Sequence, residues 1–276
     1  MWSGELDAFD AWLAASGQSP GTRKLRRYWL DRFAAGVDSD PWGVTVDELA
    51  AFLANDEWSP ETRKSARAAL RGFYGWAVET DRIGVSPARL LPPVRVPRGM
   101  PRPTPEDALG TALIGATDRD KLMLLLGAYA GLRASEIARL RVDDVTRDSI
   151  RVTGKGGKVR MVPTHHLIWS ALSAELEQRR FGRMGQGHRY GDPLTPYVFP
   201  GQSGGHITPG AVGRILKRNL VAFVGHTLRH RFATRAYAGT RDLRAVQELL
   251  GHTRPETTAR YTLVPDAALR AAVEAA

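Results

Sequence analysis

Seven prolines fall between Pro87 and Pro105, at positions 87, 92, 93, 97, 101, 103 and 105. Proline fixes its own φ and has no N–H, so a segment this rich in it is extended and semi-rigid. It parts the chain into residues 1–86 and 106–276, with 87–105 as a linker. Arg89, Arg95, Arg98 and Arg102 are interspersed. The linker is therefore either a basic strap along a polyanion or an ordinary spacer.

At 276 residues the chain is long enough to bury two modest cores. It has no cysteine, which excludes a disulfide framework and a Cys-based zinc site. No apolar run approaches the length of a bilayer span, and the opening MWSGELDAF is not a signal peptide. The expectation is a soluble intracellular protein. A formal net charge of +10 favours a polyanionic partner. The charge is uneven. Residues 1–90 carry 11 Lys and Arg against 13 Asp and Glu, whereas residues 91–276 carry 28 against 16.

The first part reads as helices. Glu5 to Ala15 places Leu6, Phe9 and Leu13 on one face. Ser19-Pro20 opens a second helix, with Leu25, Tyr28, Trp29 and Phe33 as its expected buried side. Thr45 opens a third, with Glu48 completing a capping box and Leu49, Phe52 and Leu53 as its core face. Ser59-Pro60-Glu61-Thr62-Arg63-Lys64 then repeats Ser19-Pro20-Gly21-Thr22-Arg23-Lys24 at a distance of 40 residues. Each SPxTRK copy sets positive side chains and unpaired N–H groups at a helix start, an arrangement suited to phosphate. Arg23, Lys24, Arg27, Arg63, Lys64 and Arg67 are the candidate DNA contacts. A solvated charged face is the alternative.

Beyond the linker, Pro105 to Thr117 and Lys121 to Ala130 read as helices, the second apolar nearly all round and hence buried. Another helix opens at Ala134 or Ser135. Ser149 to Thr153 and Lys158 to Pro163 read as strands of a hairpin turned at Gly154-Lys155-Gly156-Gly157. Leu140 to Val145 is a candidate third strand. Leu167 to Arg180 is helical, Gly182 to Gly205 loop-rich, and Thr208-Pro209 starts a helix whose Arg214, Lys217 and Arg218 face a groove or solvent. From His226 the chain runs HTLRHRFATRAYAG and then, past a second short helix ended by Gly251, LLGHT and ARYT.

Arginine forks bind two phosphate oxygens at once, histidine moves protons near neutral pH, and a tyrosine hydroxyl can hold a broken bond covalently. His226 and Arg229, three apart, share a helix face. Zinc is a poor reading of His226 and His230, because Thr227 stands where an HExxH site needs glutamate and Arg229 would repel a cation. GLRASEI (131–137), HTLRH (226–230), LLGHT (249–253) and ARYT (259–262) resemble the tyrosine recombinase, or phage integrase, family.

The resemblance implies a fold that is mainly α with a small antiparallel β-sheet. Residues 1–86 would form a helical core-type DNA-binding domain and 106–265 an α+β catalytic domain. Residues 266–276 would be a tail helix that docks on a neighbouring protomer. It also implies a catalytic set of Arg133, Lys155, His226, Arg229, His252 and Tyr261, supported by Glu136. Lys155 is matched by its place in GKG, with Lys158 as the alternative. Tyr261 would attack the scissile phosphate, forming a 3′-phosphotyrosine and freeing a 5′-hydroxyl. Arg133 and Arg229 would hold the non-bridging oxygens, and Lys155 would protonate the leaving oxygen. His226 would act as acid or base, and His252 would donate to the phosphate. No cofactor is implied, neither metal nor ATP. The implied partners are double-stranded DNA attachment sites and three further copies of the chain, a homotetramer assembled from monomers on paired sites. A directionality or DNA-bending factor is left open, and no membrane is involved. The expected place is the cytoplasm of a bacterial host, at the nucleoid.

The chain has no room for the arm-binding domain of many phage integrases. A phage or prophage integrase is the preferred reading. A host Xer-like or transposon recombinase is the near alternative. A non-catalytic DNA-binding relative and a type IB topoisomerase are further ones.

Overall fold

The computed structural model of the chain describes residues 2–97, 102–181, 195–202 and 204–251. Two compact units emerge, Met1–Gly99 and Met100–Ala276. Among the described residues the architecture is mainly α, with one two-stranded antiparallel sheet. No described helix is long and apolar enough to cross a membrane.

The first unit is a bundle of α1 (Trp2–Ala15), α2 (Pro20–Ala34), α3 (Val46–Leu53) and α4 (Pro60–Glu79). The two SPxTRK copies open α2 and α4 alike. Ser19 Oγ accepts from Thr22 N at 3.3 Å and Ser59 Oγ from Thr62 N at 3.2 Å, each with proline in the first turn. The Thr45–Glu48 capping box is formed at the start of α3. Phe9, Phe33, Leu49, Leu70 and Phe73 are buried together. Each such side chain contributes about 1.5–3 kcal/mol when fully withdrawn from water.

Two expected core residues of α2 are not buried: Leu25 is 49% and Tyr28 50% exposed. The buried stripe is Trp29, Leu30 and Phe33, and at ~100° per residue its centre line passes through Arg26. Arg26 donates to the Ala68 carbonyl of α4. Leu25 and Tyr28 fall outside the buried stripe. The proline-rich stretch is not extended from its first residue. Pro87–Leu90 is a 3₁₀ turn, Ala88 and Leu91 are buried in the first unit's core, and Arg67 donates to the Leu91 carbonyl at 2.7 Å.

The second unit carries α5 (Glu106–Gly115), α6 (Asp118–Tyr129), α7 (Ala134–Arg139), β1 (Ser149–Thr153), β2 (Val159–Pro163), α8 (His166–Phe181), α9 (Pro209–Leu220), α10 (Gly225–Thr240) and α11 (Leu243–Leu250). Helix α6 runs through the middle. Leu122 to Leu126 and Ala128 are all buried, because α5, α8, α9 and α10 pack around it. Gly127 allows α10 to come close, since a Cβ there would stand 2.9 Å from Leu228 Cδ1. Strands β1 and β2 pair from Ser149↔Pro163 to Thr153↔Val159.

One expectation needs correcting here. Residues 142–144 form a 3₁₀ turn rather than a strand, because the Asp144 carboxylate accepts from Arg141 N at 3.2 Å and from Arg151 Nε at 2.8 Å. Only isolated bridges, Arg141 to Tyr197 and Val145 to Ile150, flank that turn. In β2, Val159 and Met161 face outward, and the inward positions are Arg160 and Val162. The described end of the loop-rich stretch is structural. Val198 and Phe199 are fully buried, Val198 N bonds to Leu140 O, and Ile207 N bonds to Phe199 O, both at 2.8 Å.

Candidate active site

The site grows from the junction of α6 and α7. Gly131 closes α6 at φ +64, a conformation that strains any residue with a Cβ. A Cβ there would also meet Phe232 Cδ1 at 2.6 Å. The chain then extends through Arg133, the residue before α7. Glu136, in the first turn of α7, reaches back to it. Its carboxylate accepts the Arg133 backbone N–H at 2.8 Å and Arg133 Nη1 at 3.0 Å. One carboxylate thus fixes both the backbone and the guanidinium of Arg133.

Glu136 is only 4% exposed. Arg160 approaches from β2 as a planar fork, Nη1 to Oε1 at 2.9 Å and Nη2 to Oε2 at 3.0 Å. Arg229 of α10 brings Nη1 to within 3.9 Å of Oε2. Burial by itself pushes the Glu136 carboxyl upward. The Arg160 fork, the Arg133 N–H and the charges of Arg160 and Arg229 overcome it and hold the group down at about 2. Arg229 is 1% exposed and donates to the carbonyls of Gly131 and Leu250, the ends of α6 and α11. Arg160 Nε donates to the Leu249 carbonyl at 2.8 Å. Three guanidinium groups surround one carboxylate, so the cluster keeps an excess of positive charge suited to an anion.

Residues 108–267 match the phage integrase family model. Tyrosine recombinase XerC of Myxococcus xanthus is 34% identical over 284 residues, covering 94% of this chain and 92% of that protein. The chain belongs to the phage integrase family of tyrosine recombinases. Tyrosine recombinase XerC of Xanthomonas campestris pv. campestris (strain B100) is 37% identical over 218 residues, covering 74% of this chain and 64% of that protein. A lambda integrase dimer bound to a COC′ core site has the same fold, with a TM-score of 0.73 over 94% of each chain at 19% identity.

Of the site residues expected for a tyrosine recombinase, Arg133, Arg229 and Glu136 are brought together in this cluster. Lys155 opens the 3₁₀ turn Lys155–Gly157 between the strands, and its side chain lies outside the described residues. The turn begins at the cluster, since a Cβ on Gly154 would stand 3.7 Å from Glu136 Oε1. Lys158 is exposed, with its carbonyl accepting from Gly154 N at 2.7 Å. His226 sits in the first turn of α10, its ring 4.4 Å from that of His230 and edge-on to it. His252, Tyr261 and the tail 266–276 lie outside the described residues. Gly251, which precedes His252, caps α11 at φ +63, and a Cβ there would meet Arg160 Cδ at 3.0 Å.

The six candidate DNA contacts of the first unit divide. Arg23 is paired with Asp10, and Arg27 with Asp7 and Asp31. Arg63 donates to Asn55 O, and Arg67 to Leu91 O. Lys24 and Lys64 are exposed. Four of the six are therefore engaged within the bundle, because acidic and carbonyl groups of neighbouring turns lie within their reach. On α9, Arg214 and Lys217 are exposed, whereas Arg218 is bound to buried Asp120 at 2.7 Å.

Two residues of this region escaped the sequence reading. Arg160 carried a signal: counting back by two from the buried Val162 places it on the inner face of β2, where a charged side chain needs a partner. Arg231 had no comparable signal. It is 3% exposed, grips Glu106 with Nε and Nη2 at 2.8 and 2.7 Å, and donates to Ala128 O at 3.0 Å.

Proposed function

We propose that this chain is a site-specific DNA recombinase of the Xer kind, cleaving and rejoining strands through a 3′-phosphotyrosine at Tyr261. The observation that carries the reading is the meeting of Arg133 and Arg229 at the Glu136 carboxylate, beside the ends of α6 and α11. Arg133 and Arg229 offset the charge that gathers on the non-bridging oxygens as phosphorus becomes five-coordinate. Lys155 protonates the departing 5′-oxygen, His226 exchanges the proton of the nucleophile, and His252 donates to the phosphate. An ordinary tyrosine loses its proton near pH ~10, so surrounding cations must favour the phenolate for attack at neutral pH. The free 5′-hydroxyl of a partner strand reverses the step, and four protomers on two duplex sites exchange the strands.

Relatives named XerC match along nearly the whole chain, which favours this kind over the phage or prophage integrase suggested by the family signature alone. The test uses a nicked duplex bearing the site that the protein selects from a random-sequence pool. The wild-type chain should leave a covalent protein–DNA adduct, and Tyr261→Phe should not. Joining of two duplexes separates a recombinase from an enzyme that relaxes supercoils. An adduct that persists in Tyr261→Phe removes the assignment of the nucleophile, and no adduct with the wild type leaves a DNA-binding protein only.

A further inference from the structure

Arg160 belongs to none of the proposed catalytic roles, yet it makes three hydrogen bonds within the site. Its three bonds go to two elements far apart in sequence: both oxygens of Glu136 on α7, and the Leu249 carbonyl in the last turn of α11. Glu136 in turn holds Arg133. On the other side, the stem of Arg160 packs on Gly251, the residue before His252. We infer that Arg160 is a positioning residue: it clamps the end of α11, from which the chain departs toward His252 and Tyr261, to the carboxylate that aims Arg133. The inference rests on the strand-cleavage reading above, and it assigns Arg160 a task in the same reaction without contact to the phosphate.

The geometry explains why this task needs arginine. A lysine at position 160 presents a single nitrogen. It can meet Glu136 or the Leu249 carbonyl but cannot span both as the fork and Nε do. A neutral residue does more damage. Among the described residues Glu136 is faced by Arg133 from the α7 start, by Arg160 from β2 and by Arg229 from α10, and the Arg160 fork is the only bidentate one of these. Without it, burial acts on the carboxyl against weaker opposition, and the group takes up a proton at a higher pH. A protonated Glu136 no longer accepts from both the backbone and the side chain of Arg133. Misplacement of a reacting group by about an ångström costs roughly a hundredfold in rate.

The experiment compares wild type, Arg160→Met, Arg160→Lys and Glu136→Gln on the nicked duplex described above. Single-turnover adduct formation is followed from pH 5 to 9, and site affinity is measured by gel shift. Arg160→Met should cleave about ten- to a hundredfold more slowly at pH 6, with affinity within about twofold, and should recover part of the loss as pH rises. Arg160→Lys should lie between it and the wild type. Glu136→Gln should be slow at every pH, because it has no carboxyl to titrate. Two results overturn the inference. One is Arg160→Met cleaving at the wild-type rate. The other is a pH-independent loss that follows the fraction of unfolded protein or the fall in affinity. If Arg160→Met does not fold, the choice falls to Arg160→Lys: unchanged cleavage by that variant overturns the inference, and slowed cleavage with intact binding supports it. Failure of the wild type to form an adduct strikes the cleavage reading instead, so the two failures are distinguishable.

Discussion

Replacing Glu136 with glutamine removes one charge and almost no volume, so it isolates what the carboxylate does for the fold. In the folded chain that group is held at about 2, against an ordinary 4.5. The difference corresponds to about 3 kcal/mol of stability at neutral pH, similar to the ~3–5 kcal/mol lost when one partner of a buried ion pair is removed. Because the folded value is depressed, this stabilisation is complete above the ordinary value and fades as pH falls toward the folded one. Glu136→Gln should therefore be about 3 kcal/mol less stable than wild type at pH 7, and only roughly 1.5 kcal/mol less stable at pH 3. Urea titrations at a series of pH values, followed by far-UV ellipticity, measure the gap. Six of the seven tryptophans precede residue 100, so tryptophan emission reports mainly on the first unit and serves as an internal reference. Other carboxyl groups titrate in both proteins and cancel in the difference. A gap that stays constant from pH 7 to 3, or one below about 1 kcal/mol at pH 7, would refute the claim that guanidinium groups hold Glu136 ionised.

Three further outcomes follow from the packing. Glu106→Ala should cost more stability than Arg231→Met, about 3 against roughly 1–2 kcal/mol, since the first strands a buried guanidinium and the second leaves an exposed carboxylate that keeps its pairing with Arg235; equal losses in thermal melts would contradict this. Tyr74→Phe should be neutral or stabilising by up to ~1 kcal/mol, because the buried Tyr74 hydroxyl has no hydrogen-bond partner among the described residues and burial pushes its pKa upward; a clear loss of stability would show that the hydroxyl is satisfied. Ser19→Ala and Ser59→Ala should each cost about 1 kcal/mol and by similar amounts, as their caps share one geometry; markedly unequal losses would mean that the repeat is not structurally equivalent.

Local chemistry is what the sequence settled. Helix starts at Ser19, Thr45, Ser59 and Thr208 are written in residues whose side chains accept from their own backbone three positions on. Residues 122–128 of α6 announce their burial by being apolar nearly all round, and Gly251 marks the end of α11. Arg133 and Glu136 were legible only through the resemblance that GLRASEI carries, whereas Arg229 also stood out by its helical spacing from His226.

What the chain could not disclose are the choices made between distant elements. Leu25 and Tyr28 stay exposed on a helix whose inner side includes the half-buried Arg26, which donates to a carbonyl of α4. Residues 142–144 leave strand geometry because Arg151, across the turn, competes for Asp144. Arg160 acquires its importance only when β2, α7 and α11 meet. Its three acceptors come from residues 136 and 249, separated from it by 24 and 89 positions. Spacing along a chain reports which side chains share a face. Which charge is neutralised, and which carbonyl is left for a guanidinium to find, is decided where the faces close.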